Sequence, residues 1–388
     1  SASAPPIKAV KFGNDIVLGD ETVLFRHDKT FYHPTAILVE VSDDLEDDAI
    51  NAKLEEIKGL DFERVGLQYH LDGVAVVEKS GNPERFAQVV GQVAAATDRS
   101  LLLLSENVDA LKAALPGVAD RKPLVGSAVE SNYEEVVKLA KEHNVPVIIK
   151  ADGLDALSEL VEKAQKLEYK EFVLDPGSRK PSQTMANLTH MRRLAIKKKF
   201  RPFGYPVIAF TTKDEPLAEV TEASVYVAKY ASAVVLKAST KAQLLPLMSW
   251  RQNLYTDPQK PIQVEPVLHA VGEVNENSPV YLTTNFSLTY YSVEGEVEAS
   301  KVPSYILPID TDGTSVLTAY AAGKYEPEQI AKALEASGVA DKVKHRKLII
   351  PGYVAVISGK LEEVSGWKVI VGPRESSGII SFTRTLEL

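Results

Sequence analysis

From about residue 34 to residue 256 the chain alternates short, nearly unbroken apolar runs with longer stretches in which apolar positions recur every three to four residues. The runs occupy 36–41, 74–78, 101–105, 123–126, 145–150, 171–175, 206–211 and 233–237. Stretches such as 133–143 and 156–167 place their apolar residues on one face of a helix. Apolar runs separated by helices predict parallel strands buried on both faces. Eight in succession predict a (β/α)8 barrel over 34–256.

The flanks read differently. Residues 1–33 carry two short runs around Gly13-Asn14-Asp15 and Gly19-Asp20, which predicts a hairpin covering one end of the barrel. The opening Ser1-Ala2-Ser3-Ala4-Pro5-Pro6 reads as a linker or junction. Asp257-Pro258, Lys260-Pro261 and Glu265-Pro266 predict a linker over 257–275. A smaller α/β domain is expected over 276–388. Its first strand is predicted over 279–293, where Tyr281, Phe286, Tyr290 and Tyr291 give β-type composition. Three further runs, 304–310, 346–350 and 368–371, each enter a loop of small or polar residues. In open α/β sheets ligands sit beyond the carboxyl ends of the strands, so these loops mark the candidate site.

Composition narrows the function. With 388 residues, two or three domains are expected. Hydrophobic content of 45% and charged content of 25% describe an ordinary globular chain. The net charge of −9 argues against nucleic acid, which wants a basic face. No apolar run approaches the roughly eighteen residues of a membrane span, and no signal-peptide pattern opens the chain, so a cytoplasmic location is expected. Cysteine is absent, which rules out disulfides, thiolate nucleophiles and any Cys-held cluster on these residues.

Two groups of side chains compete with the C-terminal loops. The barrel strand ends offer Glu106, Lys150, Asp152, Asp175, Thr211 and Lys237. A buried Lys can become a Schiff-base nucleophile, but Lys and Asp at strand ends also pair with each other inside a barrel mouth. None of the seven histidines has metal-site spacing. His70 and His269 sit in a His-x-x-Gly frame, but Gln68 and Val267 stand where one cobalamin signature needs Asp.

Among the loops, Asp312-Gly313-Thr314-Ser315 precedes a helix, where Ser or Thr commonly caps. No loop has dinucleotide or P-loop spacing. Three such loops at successive strand ends favour a ligand with several polar groups along its edge.

Long strings then carry a resemblance. Asp310-Thr311-Asp312-Gly313-Thr314-Ser315-Val316-Leu317-Thr318-Ala319, Ile350-Pro351-Gly352-Tyr353-Val354-Ala355-Val356-Ile357-Ser358-Gly359 and Val371-Gly372-Pro373-Arg374-Glu375-Ser376-Ser377-Gly378 resemble the large subunit of the corrinoid/iron–sulfur protein of acetyl-CoA synthesis. In the barrel, Asp175-Pro176-Gly177-Ser178-Arg179-Lys180-Pro181-Ser182-Gln183-Thr184 and Asn187-Leu188-Thr189-His190-Met191-Arg192-Arg193 resemble the same family.

The resemblance implies a methyl carrier with a base-off corrinoid and no protein ligand to cobalt. It implies a barrel followed by a Rossmann-like or flavodoxin-like corrinoid-binding domain, with a small barrel subunit completing a heterodimer. A methyltetrahydrofolate-type methyltransferase, acetyl-CoA synthase and a reductive activator are the further expected partners. The family's N-terminal four-Cys [4Fe–4S] domain has no counterpart here, so the chain reads as a fragment of a protein that carries the cluster elsewhere. Under the resemblance the cofactor-binding residues are Thr311, Asp312, Gly313, Thr314, Ser315, Val316, Leu317 and Thr318, then Ile350, Pro351, Gly352, Tyr353, Val354 and Ala355, then Gly372, Pro373, Arg374, Glu375 and Ser376. Thr314, Ser315 and Thr318 would present hydroxyls and N–H groups, Gly352 and Gly372 would admit close backbone approach, and Arg374 would meet a phosphate. The competing expectation is a pterin-binding or lyase-type barrel enzyme using Asp152, Asp175 and Lys237.

Overall fold

The computed structural model describes residues 5–64, 66–237, 240–259 and 261–386; Ser1-Ala2-Ser3-Ala4 and Lys260 of the expected linker lie outside the described residues. The chain divides into two compact units, one of Ser1–Phe62 with Gln68–Asp257 and one of Glu63–Leu67 with Pro258–Leu388. No helix among the described residues is long and apolar enough to cross a membrane.

In the first unit, strands β1 (Val10–Phe12) and β2 (Ile16–Leu18) form an antiparallel hairpin. Its turn uses Gly13 at φ +65°. Eight parallel strands follow: β3 (Ala36–Ser42), β4 (Gly73–Val77), β5 (Ser100–Leu104), β6 (Leu124–Ala128), β7 (Val147–Lys150), β8 (Phe172–Asp175), β9 (Ile208–Phe210) and β10 (Ala233–Leu236). Each pairs with the next in sequence except β8 with β9, which an isolated Leu174–Val207 bridge joins, and β10 pairs with β3. The barrel is therefore nearly closed, as eight β/α repeats require.

Alternate strand residues fill its interior, among them Leu38, Ala75, Leu102, Leu124, Ile148, Val173, Ile208 and Val235. Val10, Phe12 and Leu18 join that cluster, so the hairpin plugs the barrel. The Gly13 amide donates to the Lys122 carbonyl just before β6, which places the plug at the amino-terminal end. The helices Tyr133–His143 and Leu154–Gln165 bury the apolar face that their periodicity predicts.

The second unit is an open sheet of five strands. These are β11 (His269–Val271), β12 (Val280–Thr284), β13 (Ser304–Ile309), β14 (Lys347–Ile350) and β15 (Lys368–Val371). Their order is β11-β13-β12-β14-β15; β11 is an antiparallel edge and the other four are parallel. Part of the segment expected to link the domains is thus strand β11.

One element differs from expectation. The predicted strand 279–293 ends at Thr284 and a helix, Ser287–Ser300, follows. Tyr290 and Val297 lie seven residues apart, both are buried, and they pack with Tyr281, Ile306 and Ile349. The helical spacing of these residues outweighs their β-type composition, because burial of one face stabilises the element more than intrinsic propensity disfavours it.

Candidate functional site

The four parallel strands bring their carboxyl ends, Thr284, Ile309, Ile350 and Val371, to one edge of the sheet. The chain leaves β12 through Ser287–Ser300, which packs on the face bearing Tyr281 and Ile349. It leaves β13 and β14 towards the opposite face, where Ala319, Ile330, Leu334 and Leu361 pack with Val280, Leu282 and Leu348. Connections that diverge to opposite faces open a crevice between them, and this strand order places it beside β12 and β14.

A cavity of about 320 Å³ lies there. The three predicted loops contribute Ser315, Val316 and Leu317, then Ile350, Pro351 and Tyr353, then Pro373, Arg374, Glu375 and Ser376. Three large apolar side chains on it stay open to solvent: Leu288 at 50%, Leu317 at 49% and Tyr353 at 44% exposure. Exposed apolar groups converging on one concave site mark a surface shaped for a ligand with an apolar face.

The other predicted residues support this wall from behind. Thr311-Asp312-Gly313-Thr314 form a two-residue turn with φ +54° at Asp312 and +70° at Gly313, closed by the Thr314 amide on the Thr311 carbonyl at 3.3 Å. Positive φ at both central positions is the type I′ geometry that Asp-Gly favours. Thr314 Oγ1 donates back to the Thr311 carbonyl at 2.8 Å, and Asp312 pairs with Lys324 at 2.7 Å. Ser315 occupies the position before the helix Val316–Ala321 but makes no side-chain cap; its hydroxyl meets that of Thr318 at 3.1 Å. Val354 is fully buried and Ala355 half-buried.

The two loop glycines lie against each other's strands. Gly352 N donates to the Pro373 carbonyl and Gly372 N to the Ile350 carbonyl, each at 2.9 Å. A Cβ on Gly352 would come within 2.6 Å of the Gly372 carbonyl oxygen, and one on Gly372 within 2.9 Å of Ile349 Cγ2. The close backbone approach expected at these positions is made by the chain itself. Tyr353 Oη donates to Glu375 across the same pair of loops, and that hydrogen bond raises the Tyr353 phenol above the usual tyrosine range.

Sequence reasoning missed the fourth wall, that of β12 and the helix after it. Thr283, Leu288, Thr289, Ser292 and Val293 line the cavity. The hydroxyls of Thr283, Thr284 and Ser287 are buried and have no hydrogen-bond partner among the described residues. An unsatisfied buried hydroxyl costs about 1–3 kcal/mol, so Thr283, the one of the three in the cavity lining, fits a polar ligand atom. The tyrosines and β-branched residues of 287–293 hid the helix, and with it this wall.

The barrel mouth is arranged differently. Lys150 pairs with Glu106 at 2.6 Å and Lys237 with Asp214 at 2.7 Å. Asp175, 1% exposed, accepts Arg179 Nη2 at 2.7 Å, Nη1 at 3.1 Å and the Gly177 amide at 2.9 Å. Thr211 Oγ1 donates to Glu219 at 2.6 Å. Glu106, Lys150, Asp175 and Lys237 are thus each engaged in an ion pair, while Asp152 is exposed. Among the described residues, no three His, Asp or Glu side chains cluster as a metal site would need.

The model of one protein family, the CO dehydrogenase/acetyl-CoA synthase delta subunit, matches residues 9–383. The chain belongs to that family. It is 56% identical over 387 residues to the corrinoid/iron-sulfur protein large subunit of Moorella thermoacetica, covering 99% of this chain and 87% of that one. It is 36% identical over 392 residues to the acetyl-CoA decarbonylase/synthase complex subunit gamma of Methanothermobacter thermautotrophicus, covering 97% and 85%. Among solved structures, dihydropteroate synthase from Thermus thermophilus is similar at 16% identity and a TM-score of 0.45, covering 63% of this chain and 99% of that one. The family membership agrees with the resemblance carried by the three loop strings and the two barrel strings.

Proposed function

We propose that the crevice beside β12 and β14 holds a corrinoid in its base-off form, and that the chain carries a methyl group from a methyltetrahydropterin-dependent methyltransferase to acetyl-CoA synthase. The observation that carries this reading is the cavity of about 320 Å³ with an open apolar rim and the orphaned hydroxyl of Thr283 in its lining. A corrin ring offers an apolar face and a rim of amides, and its nucleotide tail offers ring nitrogens and hydroxyls that such a buried group can satisfy. The relatives' names supply the corrinoid; the residues fit it. When bound, it supplies the cobalt on which the methyl group rides.

The chain's own residues then bind and shield. Leu317 and Tyr353 offer the apolar contact, Ser315 a hydroxyl, and Arg374, which is exposed on the rim, a charged fork for a phosphate. Both histidines of the second unit are engaged away from the crevice: His345 with the Ser278 carbonyl at 2.9 Å, His269 with the Glu265 carbonyl at 3.0 Å. Neither would then be a ligand to the cobalt, which would suit a carrier that must return to a low-valent state. A small barrel subunit would cover the other corrin face, and a reductive activator would restore the reduced carrier.

Ser292 lines the cavity from the exposed side of its helix, so Ser292→Trp fills the space without disturbing the core. The chain incubated with aquocobalamin and desalted is expected to retain cobalt, and S292W to retain none at an unchanged melting temperature. Equal retention by both would exclude the crevice as the site.

A further inference from the structure

The loop 311–315 is held by a residue outside it. Asn285, the first residue after β12, is 1% exposed. Its Oδ1 accepts from the Thr311 amide at 3.0 Å, the Thr311 hydroxyl at 3.1 Å and the Gly313 amide at 3.1 Å. Its Nδ2 donates to Asp310 Oδ1 at 3.0 Å and to Gln263 Oε1 at 3.1 Å. The backbone is tied as firmly: Asn285 N donates to the Ile309 carbonyl at 2.9 Å, and its carbonyl accepts from Val264 N at 2.8 Å. Among the described residues the Thr311 and Gly313 amides have no other support. The Asp312 amide goes to Asp310 Oδ1 at 3.1 Å and the Thr314 amide to the Thr311 carbonyl. All four turn amides, 311 to 314, are thereby spent within the protein, and none is left to face a ligand.

This changes what the turn can do. Two successive left-handed residues cost conformational energy that the surroundings must offset. One buried carboxamide supplies that compensation, and it does so from β12, the strand at which the crevice opens. We infer that Asn285 is a positioning residue, which fixes the 311–314 turn so that Ser315, Val316 and Leu317 stand on the crevice wall at a set distance from β12. The inference rests on the corrinoid reading for the identity of the ligand, but the linkage itself belongs to the chain.

A charge exchange tests it. Asn285→Asp keeps the acceptor for Thr311 and Gly313 but turns the donor facing Asp310 into an oxygen, setting two carboxylates against each other. The double variant N285D/D310N restores a donor and acceptor between the two positions and gives up the acceptor for the Asp312 amide. In the ligand-free chain, amide hydrogen exchange at Thr311 and Gly313 is expected to accelerate in N285D and to return towards wild type in the double variant. Affinity for aquocobalamin is expected to fall about ten-fold or more in N285D and to recover in the double variant, as loss of buried hydrogen bonds implies. Accelerated exchange with unchanged affinity would overturn the positioning role, because Asn285 would then hold a loop that the ligand does not need. Unchanged exchange would overturn it at the first step. If the wild-type chain with its small barrel subunit bound takes up no aquocobalamin, the carrier reading itself falls, and this inference with it. Binding by wild type and N285D alike overturns the inference alone.

Discussion

The amide of Gly352 donates to the carbonyl of Pro373 at 2.9 Å, which joins the loops after β14 and β15 into one body. Gly372 returns the bond to Ile350 at the same distance. Two of the three loops predicted from sequence are therefore joined, while Asn285 ties the third to the end of β12. The crevice wall is built from strand ends cross-linked by backbone.

Gly352→Ala tests this joint. A Cβ there would meet the Gly372 carbonyl oxygen at 2.6 Å and the Arg374 amide at 2.9 Å, both backbone atoms that cannot step aside. Urea unfolding of the variant is expected to show a loss of about 1–3 kcal/mol, the usual cost of overpacking. A variant as stable as wild type would mean that the two loops separate easily.

Tyr325 offers the opposite experiment. Its side chain is fully buried and its hydroxyl has no partner among the described residues, while burial pushes its ionisation far above the usual range. Tyr325→Phe removes an unsatisfied group and keeps the ring, so unfolding is expected to become harder by about 1 kcal/mol. A loss of stability would show that a bound water satisfies the hydroxyl.

Glu21 makes stability depend on pH. It is buried beside Arg192 at 3.4 Å, and burial outweighs the attraction, holding its carboxyl above the usual carboxylate range. The folded chain therefore keeps this proton at a pH where the unfolded chain has released it. Its contribution is present below the ordinary glutamate range and is lost as pH rises through the folded value. Glu21→Gln is expected to flatten the fall in unfolding free energy as pH rises out of the ordinary glutamate range. The same slope in both proteins would contradict the assignment.

Asp175 separates the two readings of the barrel. Asp175→Asn weakens its hold on Arg179, and since Arg179 remains partly open to water the expected loss is about 1–3 kcal/mol. Methyl transfer by the assembled protein is expected to continue at close to the wild-type rate. Its collapse in a folded variant would point to the barrel mouth as a reacting centre.

The barrel was legible because runs such as 101–105 and 145–150 repeat with a helical interval between them, a long-range pattern that no local preference disguises. Gly13-Asn14-Asp15 marked a turn between two short strands but not that the hairpin enters the barrel, and the small residues after 304–310, 346–350 and 368–371 marked three loops at one sheet edge. The fourth wall was not legible. Thr289, Tyr290, Tyr291 and Val293 favour strands by composition, and only the Tyr290–Val297 interval betrays the helix. Asn285 was invisible for a different reason. Its partners lie at 263 and at 310–313, and a buried carboxamide announces nothing about contacts so distant in sequence.

The central claim is that this chain binds a corrinoid without giving the cobalt a histidine. The visible absorption spectrum of the chain, desalted after incubation with a base-off corrinoid and its expected small barrel subunit, with cobalt measured on the same sample, tests that claim most directly. One cobalt per chain with a base-off spectrum is the predicted result. A histidine-ligated spectrum, or no cobalt while the partner is demonstrably bound, would contradict it.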